Sequence, residues 1–317
     1  MRFATKAGCF ALGLALLGAA ACGGPGGPPP PTTAERLNAE GLFRLERGEL
    51  DVADDLFRRA LGEAELVDDL QSQGEAWNNR GALAFAQGQC EGALGAHGAA
   101  LRVHRLRPDA GASLLRTHAN LGSVALACGQ PDVAKRNIDE ALRLAATLTG
   151  KEHEADVLRA RLARAALRLE EGDVAGALAD AADVARGGDA RKDDALRAGA
   201  AALTGAAEER RGRFVEARRA FEEALRIDRE RQAPLAVATD LRALARVAAR
   251  LGDGTAAASY ALRGARIARR TGDLAAAAAG LRHARALASS PEEVAAVEAE
   301  LRAVEAALGA PRPDGGA

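Results

Sequence analysis

Five histidines and four cysteines are the residues through which this 317-residue chain could do metal or covalent chemistry. The histidines fall at 97, 104, 118, 153 and 283. None stands in a His-Glu-x-x-His pair and no Cys-x-x-Cys accompanies them, which argues against a zinc site. No Gly-x-Ser-x-Gly element offers a serine nucleophile, and no glycine-rich loop follows a strand to cradle phosphate. Reading of bases wants aromatic platforms, and aromatics make up 3% of the chain. A net charge of −1 gives no general affinity for a polyanion. The expectation is a non-enzyme with no metal, no cofactor and no nucleic-acid partner.

Whatever these residues do, helices must position them. Hydrophobic residues are 48% of the chain, mostly Ala and Leu, and 27% of residues are charged. Both Ala and Leu favour helices, and the balance is too apolar for disorder. A sheet protein needs β-branched and aromatic residues at alternating positions, and they are scarce.

Glycines recur at 48, 88, 129, 172, 212 and 252, spaced 40, 41, 43, 40 and 40 residues apart. Each sits where a helical pattern ends, and glycine just past a helix takes the left-handed conformation that stops it. A periodic stop of this kind indicates stacked helical hairpins. Seven residues before these glycines stand Gly41, Gly81, Gly122, Ala165, Gly205 and Ala245, and five after stand Ala53, Ala93, Ala134, Ala177, Ala217 and Ala257. Small side chains at fixed offsets belong where the two helices of a hairpin cross. Phe57 and Phe221 recur four residues after Ala53 and Ala217, and His97 takes that slot in the second repeat, which suggests packing for His97. A seventh hairpin starts at Gly272-Asp273. Its second helix opens at Ser290-Pro291-Glu292-Glu293, with Ser as N-cap and Pro in the first turn.

Trp77-Asn78-Asn79-Arg80-Gly81, His118-x2-Leu121-Gly122, Ala53-x3-Phe57 and Ala217-x3-Phe221 carry a family signature. These residues resemble the tetratricopeptide repeat, in a longer form of about forty residues. Arg80 stands where the family has Leu, and the closing Pro is missing. The resemblance covers residues 34 to about 290. It implies an all-α, right-handed solenoid of about seven antiparallel hairpins, and it does not fix function.

In such solenoids the first helix of each hairpin lines a concave face. The resemblance implies that residues six, three and two before the small crossing residue, and the one after it, point inward. Those slots hold Asn38 in repeat one, Asn78 and Asn79 in repeat two, and Arg116, Asn120 and Ser123 in repeat three. Arg242 and Arg246 hold them in repeat six. An amide can pair with the backbone of an extended peptide and a guanidinium can grip a carboxylate. Equally, the asparagines can bond a neighbouring helix and stiffen the stack. Repeats four and five offer only a bland alanine surface.

The first residues are an address. Arg2 and Lys6 precede an uncharged stretch from Ala7 to Ala21, too short for a membrane span and suited to a signal-peptide core. Gly18-Ala19-Ala20-Ala21-Cys22 resembles a bacterial lipoprotein signal, with Ala19 in place of the usual Leu. That resemblance implies a signal peptide over 1–21, a lipidated Cys22, and a Gly/Pro-rich tether over 22–33. Gly23 after the Cys implies the outer membrane, facing the periplasm. An ordinary secretory signal is the other reading. The solenoid then spans 34–308, and 309–317 reads as a disordered tail.

With Cys9 removed and Cys22 lipidated, Cys90 and Cys128 remain in a compartment that permits disulfides. They lie at neighbouring helix ends on one edge of the expected stack. A bridge and two buried thiols are both compatible with that. Charge is uneven: Thr33 to Glu75 carries twelve acids and five bases, and Arg231 to Ser290 carries ten bases and three acids. The expectation is a molecule dipolar along its length, either simply solvated or drawing an anionic partner. Together these readings give a membrane-anchored adaptor in the bacterial envelope that takes a protein or peptide partner in its groove. The alternative is a self-associating architectural lipoprotein with no peptide ligand.

Overall fold

The structure, a computed structural model, describes residues 30–288 and 290–309. The signal stretch, Cys22 and nearly all of the tether lie outside the described residues, as does 310–317. The first four helices are α1 (Thr33–Glu46), α2 (Leu50–Leu66), α3 (Leu70–Ala86) and α4 (Cys90–His104). Then come α5 (Gly111–Ala127), α6 (Pro131–Ala145), α7 (Glu154–Glu170), α8 (Val174–Arg191) and α9 (Asp194–Arg210). The series ends with α10 (Phe214–Glu230), α11 (Pro234–Arg250), α12 (Gly254–Arg270), α13 (Leu274–Leu287) and α14 (Pro291–Gly309). They pair in order as seven antiparallel hairpins, and no strand occurs among the described residues. The fold is an all-α solenoid.

Local chemistry explains the punctuation. Thr32 and Glu35 form a reciprocal cap at α1, with Glu35 N–H donating to Thr32 Oγ1 at 3.1 Å. Ser290 Oγ accepts from Glu293 N–H at 3.1 Å and starts α14. At the six periodic glycines φ lies between +72° and +87°, which an L side chain adopts only with strain. The amide after each glycine returns to a carbonyl five residues back, as in Glu49 to Arg44 at 2.9 Å and Asp253 to Ala248 at 3.0 Å.

In repeats one, two, three and five the small residue of the first helix receives a bulky residue of the second. A Cβ on Gly81 would sit 2.6 Å from the His97 ring, and one on Gly122 would sit 2.6 Å from Ile138 Cγ1. Gly205 stands in the same relation to Phe221, at 2.9 Å. Phe57, His97 and Ile138 are each at most 1% exposed, so these contacts are the core of the hairpins. Arg80, at the family's Leu position, stacks its guanidinium 4.7 Å from the centre of the Trp77 ring.

The expected charge dipole takes a different form. The solenoid curves until its first repeat meets its sixth. Gly48, in the α1–α2 turn, comes so close to the α12–α13 turn that a Cβ would lie 2.6 Å from Thr271 Cγ2. Leu235 of α11 packs on the apolar cluster of Leu45, Leu50, Ala53, Phe57 and Leu83. Arg231 pairs with Glu46 at 3.8 Å, and Arg47 bonds Gln232. The acidic first repeat and the basic last repeats therefore face each other across a seam. One acid–base pair, Glu46 with Arg231, is made across that seam because curvature brings repeat one to repeat six.

Arg231 also holds Asp228, at 2.6 Å. Asp228 is buried beside Asp240 of α11, and burial raises both carboxyls, Asp240 to about 8 with the neighbouring Asp228 charge adding to the effect.

Candidate functional site

The inward register is occupied in all the first helices, but with different residues. In repeat four it holds Arg159, Leu162, Ala163 and Ala166, and in repeat five Gly199, Ala202, Leu203 and Ala206. Repeat six supplies Thr239, Arg242, Ala243 and Arg246, and repeat three supplies Ala119, Asn120 and Ser123. Together with Phe221 of α10 these side chains line a cavity of about 550 Å³ on the concave face. That volume is in the range of ligand sites, and its make-up of apolar surface with few polar groups is typical of them. The room exists because the inward positions of α7 and α9 are mostly alanine and glycine.

Of the sequence-predicted groove residues, Asn120, Ser123, Arg242 and Arg246 come together in this cavity. Asn38, Asn78 and Asn79 do not. They are 4%, 7% and 8% exposed and are bonded to one another's repeats. Asn38 Nδ2 donates to the Ser72 carbonyl at 3.2 Å, and Asn79 Nδ2 donates to Asn38 Oδ1 at 3.2 Å. Asn78 Oδ1 accepts from Asn120 Nδ2 at 3.4 Å and faces His97 Nδ1 at 2.8 Å. The arrangement has a simple cause. Adjacent first helices are close enough for a short amide to reach the next repeat, and a buried amide that did so would otherwise lose its hydrogen bonds to water.

His97 takes part as a neutral imidazole. Burial pushes its pKa down to about 4, and because Asn78 Oδ1 can only accept, the ring's Nδ1–H is the donor. His104 is also pushed down to about 4, by burial first and then by Arg107 and Arg116. It fills the space above Gly74. His118 lies lower than usual for the same first reason and bonds Asn137 at 2.8 Å. These three histidines are packing groups. Among the described residues no cluster of three or more His, Cys, Asp or Glu could hold a metal ion.

The arginines differ in how they are held. Arg116 lies outside the cavity lining and grips Asp156 with two bonds, at 2.9 and 3.0 Å. Arg159 pairs with Asp156 at 3.1 Å and with Asp193 at 3.5 Å. Arg246 pairs with Glu209 through two contacts, at 3.0 and 3.3 Å. Arg242 donates to Thr239 Oγ1 at 3.4 Å and is in no ion pair among the described residues. No carboxylate belongs to the cavity lining.

The second helix of repeat two and the first of repeat three bring Cys90 and Cys128 together, with Cα atoms 5.9 Å and sulfurs 2.08 Å apart. Cys22 lies outside the described residues.

Sequence reasoning passed over Arg159, Leu162, Ala163, Ala166, Gly199, Ala202, Leu203, Ala206, Phe221 and Thr239. The register that selected Asn120 and Arg242 also points to most of them. Polarity finds Asn120, Ser123, Arg242 and Arg246 and misses the small residues that make the space.

No protein-family model matches the sequence, and no curated protein matches it. Solved structures are similar in fold. A signal transduction ATPase with a tetratricopeptide repeat sensor from Pyrococcus horikoshii aligns over 88% of this chain and 45% of its own, at TM-score 0.57 and 12% identity. Aspartyl phosphate phosphatase F from Bacillus subtilis aligns over 88% and 85%, at TM-score 0.54 and 12% identity. BtubC from P. vanneervenii aligns over 73% and 95%, at TM-score 0.54 and 16% identity. The chain has the tetratricopeptide-type solenoid fold.

Proposed function

We propose that this chain is a non-catalytic interaction adaptor whose protein or peptide partner docks in the central stretch of the concave groove. The observation that carries the reading is the alanine-floored cavity spanning repeats three to six, with polar groups at its rim. A partner gains there by burying apolar surface against a preformed wall. We also read the chain as working from a bacterial membrane, anchored through a lipid on Cys22 and facing the periplasm. The uncharged stretch before Cys22 and the Gly/Pro run after it support that address. The pairing of Cys90 with Cys128 suits the same compartment. The architectural alternative draws on the amide network of repeats one to three, which stiffens a stack without needing a ligand.

Pull-down of the full anchored chain, identified by mass spectrometry, tests the reading when run beside Ala166→Leu, which fills the cavity. The adaptor reading expects a co-purifying protein that Ala166→Leu loses. The same proteins retained by both would favour the architectural reading. Cys22→Ser is expected to release the protein from membranes or leave its precursor unprocessed, and an unchanged membrane fraction would remove the anchor.

A further inference from the structure

We infer that the cavity is built for an acidic apolar anchor: one bulky apolar side chain on the alanine floor, with a carboxylate beside it on Arg242. This rests on the groove reading above and names what the groove selects.

The floor is apolar and recessed. Ala163, Ala166, Ala202 and Ala206 leave the space, and Leu203 and Phe221 close it from below. An aromatic or branched side chain entering there exchanges water for close packing on several sides. A polar side chain would lose water and find few partners on that floor.

The rim selects by charge. Three guanidiniums border the cavity and no carboxylate lines it, so a cationic segment finds no partner on the lining. Arg159 and Arg246 already have carboxylates against them, whereas Arg242 has none among the described residues. An incoming anion therefore gains most at Arg242, whose planar fork suits a carboxylate.

Main-chain recognition is poorly provided for. The amides of Asn38, Asn78 and Asn79 are engaged with each other's repeats. Ser123 Oγ donates to the Ala119 carbonyl at 3.0 Å, and Thr239 Oγ1 donates to the Leu235 carbonyl at 3.1 Å. Few donors remain to pair with an extended backbone. Recognition falls to a side chain and an ion pair, so the partner is defined by an anchor rather than by its strand geometry.

The test uses the full chain in detergent and fluorescein-labelled eleven-residue peptides of Gly and Ser. The parent probe carries a central phenylalanine followed by a glutamate. Companion probes replace the glutamate by glutamine or lysine, or the phenylalanine by alanine. Fluorescence anisotropy is expected to show binding of the parent, about tenfold weaker binding of the glutamine probe, and weaker binding still of the lysine and alanine probes. Arg242→Gln is expected to abolish the difference between the glutamate and glutamine probes, as a coupled pair requires. Ala166→Leu and Ala202→Met are expected to remove binding of every probe, with unchanged circular dichroism showing that they fold. Equal binding of glutamate and glutamine probes that Ala166→Leu abolishes would overturn the acidic anchor and leave the groove reading standing. Binding that survives both filled variants would overturn both readings. No binding of the parent probe would overturn the anchor, and the pull-down above would then decide the groove separately.

Discussion

In repeats one to three the inward positions include Asn38, Asn78, Asn79 and Asn120, and these amides link neighbouring repeats. In repeats three to six the same register borders an open cavity, floored by the alanines and glycine of repeats four and five. The first stretch has Asn38, Asn79, Asn78 and Asn120 linking neighbouring repeats, with Cys90 and Cys128 on its edge. The second has a cavity of about 550 Å³ and an arginine with no carboxylate partner among the described residues. The difference teaches that a buried amide at an inward position bonds the next repeat and says nothing by itself of a ligand. Where helices stack closely, the nearest partner for an amide is the next repeat. Where side chains are small, the space itself is left for something else.

The largest separation between the two stretches is expected in their response to pH. His97 and His104 are neutral in the fold with pKa values near 4, while in the unfolded chain they titrate near 6.5. Between those values the unfolded chain binds more protons, so stability falls as pH drops from 6.5 toward 4, by about 2–3 kcal/mol per histidine. Asp240 works the other way. Its folded carboxyl is raised to about 8 from an ordinary value of 3.8, so the fold holds the extra proton and loses stability as pH rises through that window. Hydrogen exchange corrected for intrinsic rates should show α3 and α4 opening first at pH 5, and α10 and α11 opening first at pH 8. One uniform change along the chain would break the comparison.

Next in size is the disulfide, which spans 38 residues. Reduction is expected to cost about 3–4 kcal/mol. Melting curves with and without reductant should show it, with Cys90→Ser matching the reduced protein. Alkylation that finds two free thiols in the native protein would contradict it.

Asn79→Ala comes third. It leaves Asn38 Oδ1 without its donor and is expected to destabilise by about 1–3 kcal/mol. The smallest effect belongs to Arg242→Gln, whose exposed side chain has no carboxylate partner, so stability should stay within about 0.5 kcal/mol. Denaturant unfolding of the two variants side by side sharpens the contrast. A reversed order would mean that the stack and the open stretch have been exchanged.

Much of this was legible in the sequence. Six glycines at a near-constant period located the turns, and each has positive φ. The small residue seven positions before each glycine located the helix crossing, seen in Gly81 against His97 and Gly122 against Ile138. The inward register followed from it. The occupancy of that register was not legible, because a sequence does not show whether Asn79 reaches Asn38 or a ligand. Nor was the seam, where Glu46 meets Arg231 across five repeats. Curvature accumulates from small rotations between neighbours, and no local pattern records their sum.

The most direct test is site-specific photocrosslinking in cells that express the full chain. A diazirine analogue of leucine replaces either Leu203, in the open stretch, or Leu42, at the inward register of repeat one and 41% exposed. The account predicts a crosslinked partner from position 203, lost on adding Ala166→Leu, and none from position 42. Crosslinking from position 42 alone, or from position 203 undiminished by Ala166→Leu, would contradict it.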